Sequence, residues 1–416
     1  MLIWREKMNS EERKIKIKIN NVSKIFGKNA KKASQMLEKG KTKREILKET
    51  GATVGVNRAN FDVYDGEIFV IMGLSGSGKS TLVRLLNRLI EPTSGEIYID
   101  GDMITNMSKD QLREVRRKKI SMVFQNFALF PHRTILENTE YGLELQGVEK
   151  EQRRQKAMDA LKLVGLEGFE DQYPSQLSGG MQQRVGLARA LANDPDILLM
   201  DEAFSALDPL IRKDMQDELL DLHSSVGKTI VFITHDLDEA LRIGDRIVLM
   251  KDGNIVQIGT PEEILMNPSN EYVERFVEDV DLSKVLTAGN IMKRAETVQI
   301  DKGPRVALTL MKNLGISSIY AVDKQNRLLG VISAEEAQRA TENQLTLKDV
   351  IHQNMKTIHQ DTILTDLFEL VSESNIPIAV VDDKNRMKGI VVKGALIGAL
   401  AGNDQYINLI HTQEVN

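Results

Sequence analysis

The stretch Gly73–Ser80, GLSGSGKS, has the residue types and spacing that bind a phosphate group. It fits the pattern G-x-x-x-x-G-K-[ST], and it lies between an apolar run and an amphipathic run, as that pattern requires. The glycines let consecutive backbone N–H groups face phosphate oxygens, and the start of a helix adds partial positive charge. The residues predicted to contact a nucleotide here are Gly73, Ser75, Gly76, Ser77, Gly78, Lys79, Ser80 and Thr81.

Particular roles within this loop follow from its side chains. Lys79 is predicted to reach the β- and γ-phosphates of ATP, and the Ser80 hydroxyl to bind Mg²⁺. The run ILLMDE from Ile197 to Glu202 supplies acidic partners. We expect Asp201 at the exposed end of a buried strand, where its carboxylate holds the Mg²⁺ shell. Glu202 follows directly and is predicted to orient and polarise the attacking water.

Two further polar residues end apolar runs and have two interpretations each. His235, in FITHD, is either a structural histidine or a hydrogen-bond donor to the γ-phosphate. Gln125, in MVFQNFALFP, is either an ordinary residue after a strand or a neutral amide that reaches Mg²⁺ or the water. With Glu202 they form the predicted catalytic set, and Gln125 joins Ser80 and Asp201 in the predicted metal site.

A second glycine pair occurs in QLSGGMQQRV, from Gln176 to Val185. It opens a predicted helix in the way that favours an anion, yet no lysine accompanies it. Ser178, Gly179 and Gly180 supply a hydroxyl and backbone N–H donors. Taken alone, the segment predicts a modest anion-binding site.

The elements that must position these residues alternate between strands and helices. KIKIKINNVSKIF, from Lys14 to Phe26, alternates with period two and predicts a half-exposed strand. Asn29 to Gly51 then predicts one or two surface helices. The short apolar runs before Gly73 and within ILLMDE and TIVFITHD are typical of parallel strands covered on both faces. The pattern predicts an α/β sheet with a helical insert.

An internal repeat begins beyond about Val280. Ile319–Ser333 aligns with Ile378–Val392 at an offset of 59, and TVQID matches TIHQD at an offset of 60. Two such copies indicate a paired module that buries its apolar faces against itself. The predicted domains are 1–280, 281–342 and 343–401, followed by a polar tail at 402–416.

Composition excludes several classes of protein. The 416 residues carry a formal net charge of −5, with basic residues spread among acidic ones, so we expect no nucleic-acid partner. There are no cysteines, which excludes disulfides and thiolate sites. The N-terminal stretch lacks the apolar core of a secretory signal, and no apolar run approaches the ~18 residues of a membrane span.

The phosphate loop, Gln125, LSGGMQQR, LLMDE, SALD and His235, in this order, resemble the nucleotide-binding subunit of an ABC transporter. The resemblance covers about Lys14 to Val280 and implies the P-loop NTPase fold with a helical subdomain. It further implies a head-to-tail homodimer, in which the LSGG segment of one subunit closes over the ATP γ-phosphate held by the other. The residues assigned to the nucleotide across that interface are Ser178, Gly179, Gly180, Gln182 and Asp208.

Phe26 matches the position where this family usually has an aromatic ring that stacks on adenine. The alternative is that Phe26 is an ordinary core residue, since the inserted helices from Asn29 to Gly51 interrupt the match to the family.

The repeats resemble tandem CBS domains, which are α+β modules, and the insert and DEAFSALDP resemble glycine betaine/proline (OpuA-type) importer ATPases. The resemblance implies a transmembrane permease subunit, an extracellular substrate-binding protein or domain, and a peripheral location on the cytoplasmic face of the cell membrane. It implies ATP-driven import of glycine betaine or a related quaternary amine. The alternative is another small cargo such as proline, choline or an amino acid, with a structural CBS pair. A soluble ABC ATPase of translation or DNA repair would usually carry two nucleotide domains or a long coiled coil.

The repeat pair departs from the adenylate-binding CBS form, which ends its hairpin with Ser/Thr-x-x-Asp. Here Ser333 is followed by Glu336, and the second repeat has Val392 and Ala395. We therefore expect no simple AMP or ATP site there. The hypothesis is a regulatory sensor of ionic strength, through charged surfaces or an anionic membrane, or of a cyclic dinucleotide at the repeat interface. The alternative is a dimer-stabilising module without a ligand.

Overall fold

The computed structural model describes residues 13–125, 127–205, 207–278, 280–374 and 376–400. The predicted tail at 402–416 and the N-terminal stretch judged to lack a secretory signal lie outside these residues, apart from Arg13 and Lys14. The described chain divides into two compact units on either side of residue 279. No helix in the described ranges is long and apolar enough to cross a membrane.

The strands of the first unit form two sheets. They are β1 (Ile15–Phe26), β2 (Thr53–Tyr64), β3 (Ile68–Met72), β4 (Ser94–Ile99), β5 (Asp102–Met103), β6 (Ile120–Val123), β7 (Ile197–Asp201), β8 (Thr229–Thr234), β9 (Arg246–Lys251) and β10 (Asn254–Gly259). The larger sheet has the order β10-β9-β3-β8-β7-β6, and the smaller has the order β2-β1-β4-β5.

The helices of the first unit lie between these strands. They are α1 (Ala30–Glu38), α2 (Lys43–Thr50), α3 (Lys79–Leu86), α4 (Lys109–Lys118), α5 (Ile135–Leu145), α6 (Lys150–Leu163), α7 (Gly179–Leu191), α8 (Pro209–Val226), α9 (Leu237–Ile243), α10 (Pro261–Met266) and α11 (Glu271–Val277). Short 3₁₀ turns occur at Ile104–Asn106 and Pro174–Gln176.

The larger sheet brings the predicted site residues to the carboxyl ends of its parallel strands. Strands β6, β7, β8, β3 and β9 run parallel, and β10 alone pairs antiparallel. Every residue of β3, β7 and β8 is buried, as expected for parallel strands covered on both faces. The carboxyl ends of the parallel strands therefore lie side by side. Gly73 follows β3, Asp201 ends β7, His235 follows β8, and Gln125 comes two residues after β6.

The inserted helices α1 and α2 pack on the ends of β1 and β2. Their shared core contains the buried residues Ala33, Met36 and Ile46, packed with Ile25, Ala52 and Val54 of the strand ends. The Thr42 side chain caps α2 in a reciprocal pair with Glu45, and Gly51 ends the helix in the left-handed conformation at φ 66°. The insert is thus a folded hairpin with apolar anchors.

The second unit consists of two similar halves. Its elements are α12 (Ala288–Ile291), β11 (Thr297–Gln299), α13 (Pro304–Leu314), β12 (Ser318–Val322), β13 (Leu328–Ser333), α14 (Ala334–Glu342), β14 (Thr357–His359), α15 (Leu364–Glu373), β15 (Ile378–Val381), β16 (Met387–Val391) and α16 (Lys393–Leu400), with 3₁₀ turns at Leu282–Lys284 and Leu347–Asp349. Each half has a three-stranded sheet, in the orders β11-β12-β13 and β14-β15-β16.

The two halves are joined through their hairpin turns in a reciprocal pattern. Leu328 N donates to Asn385 O at 2.9 Å, and Met387 N donates to Asn326 O at 2.8 Å. Asn326 and Asn385 both adopt φ near 60°, a left-handed conformation that asparagine tolerates. Buried side chains of both halves, among them Tyr320 and Met387, share one core. The paired burial expected from the repeat is therefore present.

Candidate nucleotide-binding and hydrolysis site

The backbone of the phosphate loop, Gly73–Ser80, accepts only glycine at two positions. Gly73 has φ 146° and Gly78 has φ 109°, and a Cβ would lie 2.3 Å from Met250 O at the first and 2.2 Å from Gly55 O at the second. The turn between β9 and β10 braces the loop from behind, because Gly253 N donates to Ser77 O at 2.8 Å. Neighbouring backbone thus holds the loop in one conformation.

The buried side chain of Lys79 folds back onto this loop. Its Nζ donates to Gly73 O at 2.7 Å and to Leu74 O at 3.3 Å. Burial lowers the pKa of the Lys79 ammonium, and the nearby carboxylates of Glu202 and Asp201 partly offset that effect. Besides these two carbonyl groups, the ammonium has a 3.8 Å ion pair with Glu202 Oε1, and such a buried positive charge is well suited to an anionic ligand.

Ser80 and Asp201 place a hydroxyl and a carboxylate side by side. The Ser80 hydroxyl donates to Asp201 Oδ1 at 3.2 Å. Burial raises the pKa of the Asp201 carboxyl, and the Ser80 hydroxyl and Arg84 lower it in part. The sequence predicts Asp201 at an exposed strand end, but the residue is only 5% exposed, because helix α3, which begins at the end of the phosphate loop, packs against β7. A hydroxyl beside one carboxylate fits Mg²⁺, which takes few protein ligands and completes its shell with phosphates and water.

Glu202 is the meeting point of the predicted catalytic residues. Its Oε2 accepts a hydrogen bond from Gln125 Nε2 at 3.2 Å and lies 3.6 Å from His235 Nδ1. Glu202 has φ 47°, a left-handed conformation that is uncommon for a residue with a long side chain. Such backbone geometry clusters at functional sites, where the surrounding structure holds it in place.

Ser205 also joins this group, although sequence reasoning assigned it no role of its own. Its hydroxyl donates to Glu202 O at 2.9 Å and accepts from Gln125 Nε2 at 3.2 Å. The signal was present in SALD, where Ser205 stands three residues after Glu202, a spacing that favours a hydroxyl bond to the backbone. Arg84 was missed as well, and its guanidinium lies 3.8 Å from Asp201 Oδ2.

Phe26 lies beside the phosphate-loop helix α3. A Cβ on Gly55 would meet Phe26 Cε2 at 2.8 Å and Thr81 Cγ2 at 3.1 Å, so ring, glycine and threonine adjoin. The Phe26 side chain is 38% exposed and does not belong to the buried core. Lys24 Nζ lies 5.1 Å from the centre of the ring. A half-exposed ring in this place leaves surface for a flat ligand.

The residues of the second glycine pair form a separate group. Ser178 caps α7 by accepting from Met181 N at 3.3 Å, and Asp208 caps α8 by accepting from Ile211 N at 3.1 Å. Gly180 adjoins α8 closely, since a Cβ there would lie 2.7 Å from Ile211 Cγ2. The Gln182 amide donates to Pro174 O and Leu177 O, at 3.1 and 3.2 Å. Among the described residues, no hydrogen bond or ion pair joins this group to the phosphate loop.

The far end of α7 holds the segment that follows Gln125. Arg189 donates to Ala128 O at 2.6 Å and to Phe127 O at 2.8 Å, and both of those residues have positive φ. Burial lowers the pKa of the Arg189 guanidinium. Helix α7 thus connects the second glycine pair at its start to the Gln125 segment at its end.

The chain is similar to known protein families and to individual proteins over most of its length. The family described as ABC transporter matches residues 56–205, and the CBS domain family matches residues 288–342 and 347–402. The glycine betaine transport ATP-binding protein OpuAA of Bacillus subtilis (strain 168) is 81% identical over 98% of this chain and 97% of its own length. The glycine betaine/carnitine transport ATP-binding protein GbuA of Listeria monocytogenes serotype 1/2a (strain 10403S) is 60% identical over 94% and 99%.

A solved structure, the dimer of the ATP-binding cassette MJ0796 in a post-hydrolysis state bound to ADP and Pi, is also similar. It is 37% identical with a TM-score of 0.50 and covers 59% of this chain and 98% of its own. These findings confirm the prediction of an ABC nucleotide-binding fold followed by tandem CBS domains, and of an ATP-binding, ATP-hydrolysing chain. Because the similarity extends over nearly the whole length, the chain belongs to the ABC transporter ATP-binding proteins of the glycine betaine family, with a C-terminal CBS pair.

Proposed function

We propose that ATP hydrolysis by this chain drives import of glycine betaine or a related quaternary-amine osmoprotectant through the catalytic residues described above. The observation that carries the hydrolytic part is the convergence of Gln125 and His235 on Glu202 beside Lys79. The near full-length similarity to two glycine betaine ATP-binding proteins supports the cargo. The domain bounds 1–280, 281–342 and 343–401 belong to this proposal.

In this proposal the phosphate loop and Thr81 bind the triphosphate, and Phe26 stacks on adenine. Ser80, Asp201 and Gln125 would hold Mg²⁺, which supplies charge neutralisation at the phosphates when bound. Glu202 accepts a proton from the attacking water through its carboxylate, while Gln125 holds that carboxylate in place. His235 donates a hydrogen bond to the γ-phosphate, and the ammonium of Lys79 compensates the negative charge of that phosphate.

The second half of each site comes from another copy of the chain. Ser178, Gly179 and Gly180 offer a hydroxyl and helix N-terminal N–H groups to the γ-phosphate held by the partner copy. Gln182 and Asp208 are assigned to the same nucleotide, and the dimeric state of the MJ0796 cassette supports such an arrangement. Dimer formation is therefore part of the chemistry, and ATP binding biases the chain between open and closed states.

A permease subunit docks at a groove beside the segment after Gln125. Phe124, Tyr141, Gly142 and Arg189 line this groove, where the α5 surface faces the edge of the larger sheet. Arg189 carries movement of α7 to Phe127 and Ala128. The chain in this way sits peripherally on the cytoplasmic face of the cell membrane, with an extracellular substrate-binding protein or domain delivering the cargo.

The cargo can be tested with the assembly of this chain, its cognate permease and its cognate binding protein in proteoliposomes. We expect glycine betaine to be retained by the binding protein and accumulated with ATP inside, and ATP hydrolysis to rise with it. The matched control replaces this chain with a Lys79→Ala variant, which should stop uptake. Retention and uptake of proline, choline or an amino acid, with glycine betaine inactive, would establish the alternative cargo instead.

The CBS pair acts in this proposal as a regulatory sensor. Ser333 and Glu336 cap α14 reciprocally, and the Glu336 carboxylate also contacts His352, so it is already engaged by the protein. That supports a sensor without a simple adenylate site. Ionic strength, an anionic membrane surface or a cyclic dinucleotide are the candidate signals. A ligand-free module that stabilises the dimer remains the second candidate.

Removing the residues beyond about Val285 tests the sensor. We expect the shortened assembly to transport already at low salt. Its transport rate should no longer depend on ionic strength, because the charged surfaces that respond to screening are gone. Uptake is measured across a salt series with equal osmotic strength, and ATP binding to the shortened chain is the control for folding. Unchanged salt dependence would support the purely structural module.

A further inference from the structure

The helical insert between β1 and β2 brings a lysine to the phosphate loop. Lys43 is the first residue of α2, and its Nζ donates to Gly76 O at 3.0 Å. Gly76 lies in the middle of the loop, with φ 78° and open space on its Cβ side. Lys79 binds the carbonyls of Gly73 and Leu74 from inside the loop, so two ammonium groups share the carbonyls of one short turn.

The position of Lys43 is determined by the fold of the insert. Ile46 of the same helix is fully buried, in the core that the insert shares with the ends of β1 and β2. The reciprocal cap between Thr42 and Glu45 fixes the turn that carries Lys43. A side chain presented from such an anchored turn loses less conformational freedom on binding than one from a mobile loop.

The charge of Lys43 is not neutralised by its neighbours. Hydrogen bonds from the Thr42 backbone and hydroxyl and from Lys41 lower the pKa of Glu45 to about 2, and these groups occupy its carboxylate. In the described ranges, Lys43 makes one hydrogen bond, to a carbonyl, and no ion pair. An ammonium has three donors, so two remain for an anion beside Gly76.

We infer that Lys43 is a second nucleotide-binding lysine, which strengthens ATP binding by placing positive charge next to the triphosphate held in the loop. The inference rests on the proposed phosphate site and adds a residue that the family motifs do not contain. The half-exposed position of Lys43 means that solvent and salt weaken the attraction, so its effect is smaller than that of the buried Lys79.

The test compares Lys43→Gln with Lys48→Gln in the full chain. Glutamine keeps a donor for Gly76 O and removes the charge, and Lys48 carries the same charge in the last turn of α2, ~7 Å further along the axis. We expect Lys43→Gln to weaken binding of ATP with Mg²⁺ by about three- to tenfold and Lys48→Gln to leave it unchanged, as measured by titration calorimetry. The deficit should shrink as salt rises from about 0.05 to 0.5 M, and Lys43→Arg should restore affinity.

Lys79→Ala provides the reference for the site itself. If it weakens ATP binding while Lys43→Gln and Lys48→Gln behave alike, the inference about Lys43 is wrong and the proposed phosphate site stands. If Lys79→Ala has no effect, both fail. A loss in Lys43→Gln that does not change with salt, and that Lys43→Arg does not restore, would mean a bracing role for the side chain and would also overturn the inference.

Discussion

Replacing Glu202 with Gln is expected to lower ATP hydrolysis by about a hundredfold or more while ATP binding is retained. The amide has nearly the same shape as the carboxylate, so the hydrogen bond network of Gln125 and Ser205 around it can persist. It cannot accept the proton of the attacking water, and a positioned general base typically contributes 10² to 10⁴ in rate. Because the closed dimer then loses its route to opening, it should accumulate with ATP bound.

Two measurements check this expectation. Phosphate release by the complete transport assembly gives the rate, and size-exclusion chromatography of the isolated chain with ATP gives the dimer. Glu151→Gln is the matched control, because it makes the same chemical change at an exposed glutamate in the first turn of α6, a helix that carries none of the predicted site residues. Turnover near the unmodified rate in Glu202→Gln would contradict the assignment of the general base.

The second large effect is expected from Ser178→Asp. Asp caps a helix as well as Ser, so α7 should keep the bond from Met181 N that Ser178 now accepts. The new carboxylate would face the γ-phosphate delivered by the other copy, and like charges at such a contact are strongly unfavourable. Hydrolysis should fall by about a hundredfold or more, with ATP affinity of the single chain nearly unchanged, because its own phosphate loop is intact.

Ser178→Asn separates charge from shape in this experiment. Asparagine keeps the cap without the negative charge, so its hydrolysis rate should lie between those of the unmodified chain and Ser178→Asp. Calorimetry for ATP affinity and phosphate release for turnover give the two readouts for each variant. Equal loss of affinity and turnover in Ser178→Asp would mean that the LSGG segment contacts the nucleotide bound by Lys79 of its own chain, and would refute the proposed head-to-tail site.

Local sequence was sufficient wherever chemistry dictates residue type over a short stretch. Gly73 and Gly78 are required at backbone positions that a Cβ would block. The phosphate loop can therefore be predicted from the sequence without knowledge of the fold. The buried parallel strands can be predicted because both of their faces are covered, which makes ILLM of β7 and IVFI of β8 continuous apolar runs. The repeat in the second unit can be predicted for a similar reason, since each half must bury the equivalent apolar faces.

Contacts between distant residues were decided by tertiary structure alone. Ser205 meets Gln125 across 80 positions, and Lys43 reaches Gly76 across 33, only because β6 and β7 are neighbours in the sheet and the insert folds on the ends of β1 and β2. The burial of Asp201 likewise depends on what covers the end of β7. The sequence by itself determined the ATP-binding motifs, the parallel strands and the repeat, because each is imposed by local backbone geometry or burial. Which side chains surround Glu202, and which lysines share the loop, depends on packing between segments that no local pattern encodes.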